Sequence, residues 1–208
     1  GKNGIKMSKS KGHVVSPDDL VRDYGCDSLR MYELFVGPPE LDAEWDDRGI
    51  DGVNRFLKRL WNILMESKGK DVQPTKEMIK LRHRMVYDIT TRLESFSLNT
   101  VISGFMEYNN KFMEIVKKEG GIDKETLETI AVLLSPFAPH FAEEMWEQLG
   151  HEETIFNAGW PKYDENEMKD DEIKIPVQIN GKTKAVIEIP ADISKDDAIA
   201  AGKEAIAD

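Results

Sequence analysis

DRGIDGVNRFLKRLWNILMES, Asp47 to Ser67, decides the fold class of this 208-residue chain. Val53, Phe56, Leu57, Leu60, Trp61 and Leu64 recur at intervals of three and four, the spacing of one buried helical face. Arg55, Lys58 and Arg59 fall on the opposite side. Three further helical stretches follow, near 75–95, 98–119 and 123–149. The last is interrupted where Pro136 and Pro139 remove backbone donors. Ile79, Val86, Ile89 and Leu93 make the apolar face of the first, and Val101, Phe105, Phe112 and Ile115 that of the second. Together these stretches predict a helical bundle over residues 47–160, so the chain is mainly α.

Outward from the bundle the punctuation changes. Upstream, SPDDLVRDYG reads as a short helix: Ser16 can cap it, Pro17 suits its first position, Asp18 and Asp19 complement the dipole, and Gly25 ends it. Asp27 opens a second helix, DSLRMYELFV, stopped by Gly37, Pro38 and Pro39, and the polar connector ELDAEWDD leads into the bundle. Downstream, NAGWPKYDENEMKDD is rich in turn formers and acids, and a linker is expected at 161–171. IKIPVQI and KTKAVIEI, joined by Asn180 and Gly181, predict a β-hairpin, and Ser194 with Asp197 starts an alanine-rich helix that stops at Asp208. A hairpin and one helix are marginal alone, so residues 172–208 read as a truncated α/β domain. The expected domains are therefore 1–46, the bundle at 47–160, the linker and this partial domain.

No run of eighteen apolar residues and no signal peptide are present, and a cytoplasmic location is expected. The one cysteine, Cys26, has no disulfide partner in the chain and reads as a small buried apolar side chain. No histidine stands at metal-ligand spacing. His140 with Glu143 and Glu144 falls short of HExxH and reads as packing after Pro139, while His83 and His151 sit in no motif. Trp45, Trp61, Trp146 and Trp160 read as packing anchors.

The formal net charge of -11 argues against nonspecific nucleic-acid binding over the whole surface. Its distribution is uneven, because Lys2, Lys6, Lys9 and Lys11 crowd into the first twelve residues with no acid among them. Ammonium groups beside serine hydroxyls and glycine suit phosphate oxygens, although the glycine spacing of a Walker loop is absent. From spacing alone, a solvated or disordered terminal segment is the favoured reading of this stretch.

Lys6, Met7, Ser8, Lys9 and Ser10 spell KMSKS, which resembles the signature loop of the class I aminoacyl-tRNA synthetases. GCDSLRMYELF, Gly25 to Phe35, follows the loop as it does in that family. Gly37–Trp61, the stretch WPKYD and IPVQINGKTKAVIEIPADIS are similar to the bacterial leucyl branch of the family; Ser135–Gly150 is similar to the leucyl, isoleucyl, valyl and methionyl group as a whole. The resemblance implies that Lys6 to Ser10 touch ATP, that Lys9 stabilises the phosphates as pyrophosphate leaves, and that Lys6 is auxiliary. It implies the ATP–Mg2+ and leucine chemistry of a leucine-charging ligase, a tRNA(Leu) partner, a monomer and no membrane contact. The family's HIGH signature is nowhere in these residues, so the resemblance implies a carboxy-terminal fragment that is inactive alone. His13 stands where the family usually has asparagine, which would make loop closure sensitive to pH.

For tRNA, the candidates are basic residues on polar faces, since phosphate contacts supply affinity without base recognition. Arg55, Lys58 and Arg59 form the first cluster, Arg82 and Arg84 a weaker one, and Lys182 and Lys184 a third on the second strand; a solvated face is the plain alternative. A stand-alone RNA-binding or regulatory module derived from such a synthetase is the alternative function.

Overall fold

The computed structural model describes residues 1–38, 40–170 and 172–206; Pro39, Asp171 and the terminal Ala207 and Asp208 lie outside the described residues. The chain divides into two compact units, Gly1–Glu167 and Met168–Asp208.

In the first unit, α1 (Pro17–Tyr24) and α2 (Cys26–Phe35) precede the long α3 (Asp47–Ser67). They are followed by α4 (Lys76–Glu94), α5 (Leu98–Glu119), α6 (Lys124–Leu134) and α7 (Pro139–Gln148). The helices start where short polar side chains satisfy free backbone donors. Asp46 accepts from Arg48 N–H, Thr75 from Met78 N–H and Asp123 from Thr126 N–H. Ser16 stands at the start of α1 but its side chain makes no capping bond. One core runs through the unit, with Met31, Ile50, Leu64, Ile89, Ile102, Phe112, Leu127 and Met145 fully buried.

The buried faces of α3 and α5 fall where the periodicity puts them, with Ile50 and Ile63 joining α3's stripe. On α4, Val86 and Ile89 are buried as expected, but Ile79 and Leu93 are half-buried and Met78, Arg82 and Met85 complete the face. Cys26 is exposed, contrary to expectation, because α2 packs through Asp27, Ser28, Met31 and Tyr32.

Two contacts tie α2 to the elbow between α6 and α7. The α7 N-terminus has Ala138 at its cap position and no capping side chain of its own. Asp27, 113 residues from His140 in sequence, supplies one: its Oδ2 accepts Phe141 N–H at 2.6 Å and its Oδ1 meets His140 Nδ1 at 2.9 Å. One turn on, Arg30 Nη2 donates to the Pro136 carbonyl at 3.1 Å.

Trp160, the end of the expected bundle, and the first residues of the expected linker lie along α4. Trp160 Nε1 donates to Thr90 Oγ1 at 2.9 Å, Asp164 N–H donates to His83 Nδ1 at 2.9 Å, and Tyr163 meets Tyr87 edge-on. In the second unit, β1 (Glu172–Ile179) and β2 (Lys182–Pro190) form an antiparallel ribbon, and α8 (Lys195–Glu204) packs against β2. Positive φ at both Asn180 (51°) and Gly181 (75°) makes the tight turn that matches strand twist. Ser194 accepts from Asp197 N–H at the start of α8.

Candidate nucleotide loop and nucleic-acid face

The lysine loop has a fixed root and an exposed crown. Lys2 pairs with Ile5 through backbone bonds of 2.9 and 3.1 Å, and Trp45 N–H donates to the Gly1 carbonyl at 2.6 Å. Lys2 Nζ reaches Asp47 Oδ2 at 2.9 Å, and the Trp45 indole donates to Asp47 Oδ1 at 2.7 Å. The Lys2 ammonium first, and the indole second, hold the Asp47 carboxyl below its ordinary range. The root is thus sewn to the residues that start α3.

Beyond it the chain makes a single 3-10 turn at Lys9–Lys11, which Gly12 closes with φ of 72°. Ser8 N–H donates to the His13 carbonyl at 2.9 Å, and the Ser8 and Ser10 hydroxyls lie 3.0 Å apart. Because His13 closes the turn through its backbone, asparagine would close it equally. Lys6, Lys9, Ser10 and Lys11 are exposed, Met7 and Ser8 half-buried, and among the described residues no ion pair engages the three lysines. Uncommitted cations on a hydroxyl-bearing turn are the donor set that phosphate oxygens take.

The structure leaves Arg55, Lys58 and Arg59 exposed on α3, without an ion pair among the described residues. Arg48 and Arg22, by contrast, are neutralised by adjacent aspartates. Lys58 stands on the rim of a groove of about 820 Å³ between α2, α3 and α7, floored by Leu57, Trp61 and Phe141. Arg59 lies beside a smaller hollow shared with Lys117 of α5.

Arg82 is not part of any such face. It is 8% exposed, with its Nη1 at 2.9 Å from Glu125 Oε2 and 3.4 Å from Asp123 Oδ2. It ties α4 to the start of α6, and Arg84 is also engaged. Lys182 and Lys184 are exposed on β2 in the second unit, Lys182 opposite Ile179 and Lys184 at the irregularity beside Gln178.

The tryptophans make ring and hydrogen-bond contacts within the unit. Trp45 meets Tyr32 edge-on at 4.8 Å, Trp61 meets Phe141 at 5.8 Å, and Trp146 stacks on His151 at 3.6 Å. His140 is not packed in the core; its side chain is 76% exposed beside Asp27. Among the described residues no group of three His, Cys, Asp or Glu is placed to hold a metal, and no helix is long and apolar enough to cross a membrane.

Sequence reasoning missed the role of Asp27, read only as a helix start. The signal was Ala138 at a helix beginning, which leaves a donor to be satisfied from elsewhere.

Residues 75–199 match the family described as the anticodon-binding domain of tRNA ligase, and residues 1–46 match class I tRNA synthetases of the I, L, M and V group. A leucine–tRNA ligase of Fervidobacterium nodosum is 49% identical over 212 residues, covering 94% of this chain and 26% of the relative. That of Thermotoga maritima is 44% identical over 214 residues, with the same coverage. The chain thus spans about a quarter of the length of these curated relatives. A solved ternary complex of an Agrobacterium radiobacter K84 LeuRS with tRNA and LeuAMS superposes with a TM-score of 0.79 at 27% identity, covering 98% of this chain and 28% of that one.

Proposed function

The chain belongs to the anticodon-binding domain family of tRNA ligases, and from that premise we propose that it is the carboxy-terminal part of a bacterial leucine–tRNA ligase. The observation that carries this reading is the exposed Lys6–Ser10 turn, rooted on the start of the bundle's longest helix. A pure RNA-binding module has no chemical step for Lys9 to serve. In the whole enzyme, leucine is activated with ATP and transferred to tRNA(Leu).

Lys9 presents a compact positive charge to phosphate oxygens, where charge accumulates as pyrophosphate departs, and Lys6 assists. Met7, Ser8 and Ser10 complete the contact with ATP. Mg2+ accompanies the ATP in this reading. The Arg55, Lys58 and Arg59 face lies along the tRNA body, and Lys182 and Lys184 touch the tRNA from the small unit. A cytoplasmic monomer is the expected state.

Leucine-dependent ATP–pyrophosphate exchange and charging of tRNA(Leu) by the full-length protein test the reading, and exchange specific for another amino acid would refute it. The chain by itself is expected to catalyse neither. Replacing Arg55, Lys58 and Arg59 with glutamine should weaken tRNA binding at all salt concentrations and flatten its logarithmic salt dependence by about one unit for each phosphate no longer neutralised.

A further inference from the structure

We propose that Asp27 is a positioning residue, which holds the Lys6–Ser10 loop in register with the tRNA-binding bundle by capping α7 from α2. The proposal rests on the function given above. The α7 helix begins abruptly after the elbow, with Pro139 in its first position and Ala138 before it, and no local side chain accepts its free N–H groups. Phe141 N–H is the donor that a capping side chain ordinarily takes. Asp27 takes it at 2.6 Å across 114 residues of sequence, and its other oxygen meets His140 at 2.9 Å.

The Asp27 side chain is only 10% exposed, and among the described residues no lysine or arginine pairs with it. Its charge is met instead by one backbone donor, Phe141 N–H, by the His140 ring and by the positive ends of two helices, since it also lies in the first turn of α2. A buried position used only for filling would carry an apolar residue, because a carboxylate there is costly unless its bonds are made. A backbone donor also fixes direction: a shift of α7 would break the Phe141 N–H bond to Asp27, whereas a flexible side-chain partner could follow the shift.

Arg30 makes a second contact from the same helix to the Pro136 carbonyl. The α2 helix is thereby pinned at two points to the elbow of the bundle. In sequence it is joined to the loop through α1, and its Tyr32 also packs on Trp45, which bonds the Gly1 carbonyl at the loop root. A tRNA seated on the Arg55, Lys58 and Arg59 face of α3, which packs on both α2 and α7, is accordingly held at a set distance from the lysines that act on ATP.

The test uses the full-length enzyme with Asp27→Ala, Asp27→Asn and His140→Ala, measuring pyrophosphate exchange without tRNA, and kcat and KM for charging. Exchange needs the loop but not the bundle. Asp27→Ala should lower kcat/KM for tRNA about tenfold or more while exchange stays within about twofold, in keeping with the rate cost of small misplacements. Asp27→Asn keeps an oxygen for Phe141 N–H and should recover most of the loss; His140→Ala, which removes the outer partner, should have the smallest effect. Equal losses in both reactions, or unchanged charging by Asp27→Ala, would overturn the positioning role. An unsubstituted enzyme without leucine-dependent exchange would overturn the functional reading together with it.

Discussion

Replacing Gly49 with alanine should unfasten the junction between the loop-bearing residues and the bundle. Gly49 lies in the first turn of α3, against the ring of Tyr32 from α2. A Cβ there would overlap Tyr32 Cε2 and stand 3.0 Å from Cζ and 3.1 Å from the hydroxyl oxygen. The ring cannot step aside cheaply: Tyr32 is 2% exposed and packed edge-on against Trp45. Its hydroxyl donates to the Asp46 carbonyl at 2.8 Å and accepts Asp46 N–H at 3.0 Å. Losing both bonds costs about 2 kcal/mol, and overpacking adds about 1–3 kcal/mol. Better helix propensity returns about 1 kcal/mol, so Gly49→Ala should destabilise by about 2–4 kcal/mol.

Gly52, one turn along the same helix, has nothing within 4 Å of its Cβ position. Its alanine variant should gain about 0.5–1 kcal/mol. Urea denaturation followed by helical circular dichroism compares the two, and the midpoints should move in opposite directions. If Gly49→Ala is as stable as Gly52→Ala, the steric reasoning is wrong. Combining Gly49→Ala with Tyr32→Leu should recover part of the loss, because the two positions touch.

Arg82→Ala should cost about 2–4 kcal/mol, since it strips a buried carboxylate, Asp123, of its cation; tRNA affinity and its salt dependence should not change, as gel-shift titrations would show. The Asp47 carboxyl, held below its ordinary value of 3.8 by Lys2 and the Trp45 indole, contributes stability that is present above that value and lost as pH falls through the depressed one. Trp45 fluorescence should therefore report release of the loop root below pH 3.8, and the step should vanish in Asp47→Asn. Asn109 is 4% exposed with its Oδ1 unpartnered among the described residues, and its amide nitrogen faces only the Met113 sulfur at 3.9 Å. Asn109→Leu removes an unpaired acceptor and should stabilise by about 1 kcal/mol in thermal denaturation.

Why α3 was legible in the sequence and α4 only in part comes down to what marks a face. On α3 and α5 most buried positions are aliphatic or aromatic, so periodicity finds the face while missing Ser67 and Asn109. On α4 the buried residues are Met78, Arg82, Met85, Val86 and Ile89; periodicity finds Val86 and Ile89, but an arginine in the row breaks the apolar signal, and at the helix start Ile79 is taken where Met78 is buried. The same error promoted Arg82 to a surface candidate. The register distinguishes it from Arg55, because Arg82 stands four residues after one buried methionine and three before another. Arg55 lies between buried Val53 and Phe56, on the far side of their shared face.

The loop poses the complementary problem. Its proposed chemistry rests on local residues, the lysines and serines of Lys6 to Ser10, and on the family resemblance that their order carries. Its placement depends on backbone groups, such as Trp45 N–H on the Gly1 carbonyl and Phe141 N–H on Asp27, which leave no residue pattern because any non-proline residue carries the same donor. Where the Lys6–Ser10 turn sits relative to the bundle therefore follows from a few long-range bonds rather than from the motif. Substitutions that spare the motif but cut those bonds, Asp27→Ala above all, are the ones that can separate nucleotide chemistry from tRNA positioning.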